Sequence, residues 1–246
     1  MAQIFLEDLA LKTRRGLRGK FERGQSAGGK SYGYAPRIGQ DGLVQKGHVS
    51  IDDNEATIVR RIFTESASGV PPLKLAAQLN ADGGPSPAAD TKRATSGHWK
   101  QNTINGNPTR GTGILNNELY IGRRVWNRLR YSKHPETGKR VSRLNPFEDW
   151  EVQDVPDLQI IDQDLWDAVK AVQAGHRKVR STKPATDKKG LSVGQSLRRR
   201  KYLLSGLMSC GQCGGNLTVA GSGKARRYYC ANAKEKGASV CTGMRG

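Results

Sequence analysis

The sequence predicts an α+β chain: a mixed helical domain with the outline of a helix-turn-helix and a small β-hairpin region, followed by a small metal-stapled module. Three observations carry this. Apolar residues recur at helical spacing in 53–63, 73–80 and 162–172, and alternate as in strands between 120 and 155. All four cysteines lie at the end, at Cys210, Cys213, Cys230 and Cys241. Only 35% of the 246 residues are apolar and 6% aromatic, which favours small modules joined by linkers over one large core.

Met1 to Phe21 is expected to be the end of a helix, with Ile4, Phe5 and Leu9 on neighbouring turns and Leu17 and Phe21 at i, i+4. No N-cap opens it, so the helix looks cut, as if residues continue upstream. Its second half is basic: Lys12, Arg14, Arg15, Arg18, Lys20 and Arg23 face Glu22 alone. An arm tracking phosphates is expected there, against the plainer alternative of a solvated helix end. Gly24 to Gly33 is too rich in Gly and Ser for a helix. Asp52 and Asp53 can cap the next helix, with Glu55 in its first turn and Ile58, Val59, Ile62 and Phe63 as its core stripe. Gly69, Pro71 and Pro72 end that helix and restart a short one, Leu73 to Asn80, with Leu75, Ala76 and Leu79 inward. A polar loop, Ala81 to Gly97, precedes a helical stretch near Trp99 that Gly106, Pro108, Gly111 and Gly113 interrupt.

Two short helices, the second bearing Lys100, Gln101, Asn102, Thr103, Asn105 and Arg110, have the outline of a helix-turn-helix, although any two packed helices share that outline. Asn and Gln can pair bidentately with adenine, and Arg with guanine. Tyr120 to Tyr131 alternates as a strand, with Ile121, Val125 and Leu129 on one parity. Pro135 to Lys139 supplies a turn, and Val141 to Leu144 a returning partner. Trp150 to Val155 is a further strand, stopped by Pro156. Asp162 can cap a helix running to Val172, with Leu165, Trp166, Val169 and Val172 on one face. His176 to Lys201 then carries ten Lys/Arg and one Asp, including Arg198, Arg199, Arg200 and Lys201. It is expected to be a disordered spacer in isolation and compatible with a cationic strand in a DNA groove.

Cys210-Gly211-Gln212-Cys213 is a knuckle, and glycine allows the tight turn such a knuckle needs. Four thiolates about 2.3 Å from one ion are what a structural zinc site requires. Two disulfides or four free thiols are the alternatives. No secretory signal opens the chain, since Glu7 and Asp8 interrupt its start, so disulfides are disfavoured and a cytoplasmic location is expected. Forty-one Lys/Arg against 22 Asp/Glu leave a net charge of +19. That self-repulsion is relieved by a polyanion, and nucleic acid is the expected partner. A membrane is not expected, because no run of about 18 apolar residues exists to span one.

Several of these motifs, in this order, resemble the C-terminal part of the large serine recombinases, the serine integrases of phages and mobile elements. They are the basic run Lys12 to Lys20 and the Gly28-Gly29-Lys30-Ser31-Tyr32-Gly33-Tyr34 turn. Next come Glu55-x-x-x-Val59-Arg60-Arg61-Ile62-Phe63 and Leu75-Ala76-x-x-Leu79-Asn80. Then follow Gly113-Ile114-Leu115-Asn116-Asn117-x-Leu119-Tyr120-Ile121-Gly122, Val125-Trp126-Asn127-Arg128 and the Cys210–Gly215 knuckle. The resemblance implies four segments. Residues 1–23 would end the long helix leaving a catalytic domain; 24–174 would be a recombinase DNA-binding domain. Residues 175–204 would be a basic linker in the minor groove, and 205–246 a zinc ribbon domain. It implies binding to double-stranded DNA at attachment sites and integration by strand exchange in the complete protein.

The family's nucleophilic serine, in a Tyr-x-Arg-x-Ser setting, has no counterpart here: Tyr131-Ser132 is followed by Lys133, and Ser26 and Ser31 lie in the glycine-rich turn. No catalytic residue is assigned, and no DNA cleavage by this chain alone is expected. A fragment or truncated reading frame, monomeric in solution, is the expectation, with self-association through regions not in this sequence. A stand-alone regulator of a full-length recombinase and a basic RNA-binding protein are the rival readings.

Overall fold

The chain adopts the expected mixture of helices and small antiparallel sheets, and buried rings organise its first unit. The computed structural model describes residues 2–89, 97–175, 202, 204, 206–221 and 225–243. These form two compact units, each made of two stretches of chain: Met1–Thr64 with Asn105–Trp166, and Glu65–Ile104 with Asp167–Gly246.

In the first unit, helix α1 (Ala2–Glu22) is followed by the irregular 24–33 turn and by an antiparallel hairpin, β1 (Tyr34–Ile38) and β2 (Val44–Ile51). Asp52 caps α2 (Asp53–Ala67) as its position predicts: Oδ1 accepts the backbone N–H of Asn54 at 3.1 Å and of Glu55 at 3.2 Å. Ala56, Val59, Ile62 and Phe63 point inward from α2 and are fully buried. Phe63 stacks on Trp166 at 5.7 Å and meets Tyr120 edge-on at 6.0 Å, while Tyr34 and Tyr120 stack at 6.0 Å.

Buried phenols need partners. Tyr34 donates to the Leu158 carbonyl at 2.8 Å, and Tyr120 to that of Tyr32 at 2.8 Å. Burial pushes both phenols up, so they stay neutral donors. Glu55 closes the arrangement by accepting Gly33 N–H at 2.7 Å and Lys30 Nζ at 2.8 Å. The Gly28–Tyr34 turn and the Glu55 motif, apart in sequence, are thus one hydrogen-bonded structure.

The single strand expected over Tyr120–Tyr131 is three pieces. Tyr120 and Ile121 end a 3-10 turn, Glu118–Ile121. β3 (Arg123–Trp126) pairs with β6 (Glu151–Asp154), and β4 (Leu129–Lys133) with β5 (Arg140–Leu144). The break is at Asn127, which takes φ 59° and donates through Nδ2 to the Asp149 carbonyl at 2.8 Å. Asparagine tolerates this left-handed conformation, so an apparently continuous alternation changes sheet there. Gly113 permits a second close crossing, since a Cβ there would lie 2.6 Å from the Gly106 backbone. The buried Asn116 side chain ties that crossing by donating to the Asn105 and Thr112 carbonyls at 2.7 and 2.8 Å.

In the second unit, Pro72 opens α3 (Pro72–Ala81), which buries Leu75, Ala76 and Leu79. Trp99 is fully buried and donates from Nε1 to the Gly84 carbonyl at 3.0 Å. The helical stretch expected beyond Trp99 is a single turn, α4 (Gln101–Asn105), anchored by buried Ile104. α5 (Gln163–Gly175) starts in the first unit and ends in the second. The C-terminal part is a hairpin, β7 (Leu217–Ala220) with β8 (Arg227–Cys230), followed by α6 (Ala231–Lys236). Among the described residues, no helix is long and apolar enough to cross a membrane.

Candidate metal centre and cationic surfaces

The knuckle folds because its backbone closes on itself: Gly214 N–H donates to the Cys210 carbonyl at 2.8 Å, and Cys210 N–H to that of Gly215 at 2.7 Å. The β7–β8 register sets Leu217 opposite Cys230, so the third cysteine ends β8 beside the knuckle. The turn after α6 returns Cys241, whose N–H donates to Gly237.

The sulfurs of Cys213 and Cys230 are 3.5 Å apart; those of Cys210 and Cys241, and of Cys230 and Cys241, are 3.8 Å apart. All four lie within 4.8 Å of one another. A tetrahedron of sulfurs about 2.3 Å from a central ion has edges of about 3.8 Å, whereas a disulfide needs about 2.05 Å. The arrangement therefore fits one four-coordinate metal ion and not a pair of disulfides, and all four cysteines are free thiols.

The surrounding polar groups prepare these sulfurs to bind a cation. Backbone N–H groups of Cys213 and Gln212 hold the Cys210 thiol below its ordinary range. Asn232 Nδ2, 3.4 Å away, and the Gly215 N–H lower Cys213 to about 6. The Gly243 N–H favours the Cys241 thiolate too, but burial and the three neighbouring sulfurs outweigh it and push Cys241 up to about 12. Four thiolates cannot gather without a positive charge among them, and a metal ion held by the four sulfurs would supply it.

Two residues beside this centre escaped sequence reasoning as site residues. Lys236 is only 5% exposed, and burial followed by repulsion from Lys100 pushes its ammonium down. Asn80, at the end of α3, donates to the Lys236 carbonyl at 2.8 Å and the Trp99 carbonyl at 3.0 Å, and accepts Trp99 N–H at 2.8 Å. The ribbon thereby docks on α3. Asn80 closes one of the motifs quoted above, but nothing in the sequence couples it to a residue so far along the chain.

The residues expected to contact DNA fall in several places. Arg14, Arg15 and Lys20 are exposed on α1. Arg18, on the same helix, bridges Glu22 at 3.2 Å and Glu151 at 3.1 Å. Lys100 is half-buried just before α4; Gln101, Asn102, Thr103 and Asn105 lie on it. Arg110 is on a separate 3-10 turn, Pro108–Arg110, and donates from Nη2 to Ser142 Oγ. Arg198, Arg199, Arg200 and Lys201, with the rest of 176–201, lie outside the described residues.

A family profile described as Recombinase matches residues 53–176, and a second, Recombinase zinc beta ribbon domain, matches residues 203–245. The chain belongs to the recombinase family and is of the large serine recombinase C-terminal type. No curated protein matches it. Among solved structures it is similar to a crystal structure of an LSR–DNA complex, at 17% identity and TM-score 0.36, covering 91% of this chain and 55% of that one. It is also similar to a structure concerned with the sequence requirements of the Listeria innocua prophage attP site, at 17% identity and TM-score 0.31, covering 84% and 66%. The chain thus spans little more than half the length of the first of these.

Proposed function

We propose that this chain is the duplex-DNA-binding part of a site-specific serine recombinase, with one structural zinc ion held by Cys210, Cys213, Cys230 and Cys241. The observation that carries this reading is the net charge of +19 on a chain of the recombinase family. Residues 24–174 serve as the DNA-binding domain and 205–246 as the zinc ribbon, joined by the basic linker 175–204. α3 and α4 act as a helix-turn-helix, with Gln101, Asn102, Thr103 and Asn105 facing base edges and Arg110 contacting DNA from its own 3-10 turn. Arg14, Arg15, Arg18 and Lys20, with Arg198, Arg199, Arg200 and Lys201, neutralise phosphates, which position the protein without reading sequence. The ion supplies folding energy to the ribbon. Strand exchange belongs to the complete protein, which acts in the cytoplasm.

The test is a binding comparison. The zinc-loaded chain is titrated against an attachment-type half-site, a scrambled DNA duplex and an RNA duplex of equal length across a salt series. The half-site should bind at least tenfold more tightly than the scramble. Equal affinity for RNA and both DNAs would overturn the reading in favour of a general RNA-binding protein. Thr103→Ala or Asn105→Ala should narrow the gap between half-site and scramble by about 1–3 kcal/mol where a base contact is lost.

A further inference from the structure

We propose that the β4–β5 ribbon, residues 129–144, is a second duplex-DNA contact, laid along a groove with Arg130, Lys133, Arg140 and Arg143 against the phosphates. The inference rests on the DNA-binding reading above and assigns a surface which that reading leaves unused. Its starting point is the register. Arg130 stands directly opposite Arg143, and Lys133 opposite Arg140. Like charges directly opposite each other repel and weaken a hairpin. Two such pairs share one short ladder, with Lys139 added in the turn and Glu136 its only acid.

Residues 130–140 are exposed throughout, and no ion pair reaches these four cations among the described residues. Some cations of this unit do meet acids, as Lys30 meets Glu55 and Arg18 meets Glu22 and Glu151, but none of those stands directly opposite another cation in a strand ladder. A local repulsion built twice into one ladder, with no acid set against it, suits an anion supplied from outside.

Alternation puts Arg130 and Arg143 on one face of the ribbon and Lys133 and Arg140 on the other, with Tyr131 and Ser142, and this second face carries more than charge. The Arg140 guanidinium lies 3.8 Å over the ring of Tyr131, which is 54% exposed. Ser142, opposite Tyr131, holds Arg110. Behind Arg110 is a cleft of about 210 Å³ that Arg123, Arg128 and Glu118 also line. Glu118 pairs with both Arg123 and Arg128, so cations exceed acids there, and the buried Arg128 Nε has no hydrogen-bond partner among the described residues. Positive charge therefore runs from the ribbon's tip to its base. A two-stranded ribbon fits the major groove, about 12 Å wide. Phosphates on the two walls of that groove are the anions that cations on both faces of such a ribbon match.

The test uses the full zinc-loaded chain and a fluorescein-labelled mixed-sequence duplex across a salt series. Arg130→Thr/Arg143→Thr removes one repelling pair with a residue that suits strands. Two lost phosphate contacts reduce the logarithmic salt slope by about 1.8, so the affinity lost between about 50 and 200 mM salt shrinks roughly tenfold. The melting temperature should hold or rise, because a repulsion is gone. Arg130→Lys/Arg143→Lys keeps the charges and should keep the slope. An unchanged slope in the Thr variant overturns the proposal, as does a slope lost equally in the Lys variant, which would mark a structural role. Wild-type chain that binds no duplex would instead sink the DNA-binding reading, and this proposal with it.

Discussion

The ring core of the first unit and the four-sulfur ribbon hold themselves together by different physics. The first buries Tyr34, Phe63 and Tyr120 almost completely, with Trp166 at 7% exposure, and satisfies its phenols by hydrogen bonds. The ribbon's buried cluster is Cys210, Leu217, Cys230 and Cys241, with Met208, Tyr228 and Ala233 only partly covered. One buried leucine contributes roughly 1.5–3 kcal/mol, while ordering the backbone costs about 1–2 kcal/mol per residue. The ribbon cannot stand on apolar burial. Damage to the ring core should therefore be graded, whereas damage to the ribbon should be all-or-none in metal.

Three substitutions test that contrast. The largest effect is expected from Cys213→Ser. Losing one of four ligands removes most of a contribution on the order of 10 kcal/mol, so the ribbon should unfold while the ring core persists. Native mass spectrometry should find no zinc in the variant, and methyl and ring NMR signals near Tyr34 and Tyr120 should stay dispersed. A variant that keeps the ribbon's amide dispersion without metal would dissolve the distinction.

Phe63→Ala comes next, at about 3–5 kcal/mol from lost burial and the cavity left between Tyr120 and Trp166. Chemical denaturation should show this loss with zinc stoichiometry unchanged. The smallest effect is expected from Asn80→Ala, which removes one acceptor and two donated bonds and costs about 1–3 kcal/mol. Hydrogen exchange should rise at Trp99 and in α6 while zinc remains bound. Metal loss on this substitution would mean that the ribbon depends on α3 for its site and not only for its seat.

Much of the fold was legible because local chemistry decided it. Asp52 caps α2 from its own carboxylate, the cysteine knuckle closes through neighbouring glycines, and β5 and β6 fall where alternation placed them. What escaped was decided at a distance or by weak patterns. The β1–β2 hairpin gave no periodic signal, since Tyr34 is its only buried residue. Asn127 turns the chain between two sheets through a backbone angle that composition does not announce. The four ligands were visible as a set because thiols are scarce and chemically alike. The ribbon's seat on α3 was not, because an asparagine bonding two carbonyls leaves no spacing to detect.

That seat has a consequence for shuffling parts between relatives. Gly237, at φ 95°, lies so near α3 that a Cβ in its place would stand 2.8 Å from Ala77 Cβ. Glycine and alanine there form a keyed joint with no spare volume on either side. The ribbon is therefore not a cassette to be cut away ahead of its cysteine knuckle and exchanged freely. A chimera should carry Pro72–Ala81 together with the ribbon it came with, since a transplant taking only one half of the joint would meet a foreign side chain where this chain has none.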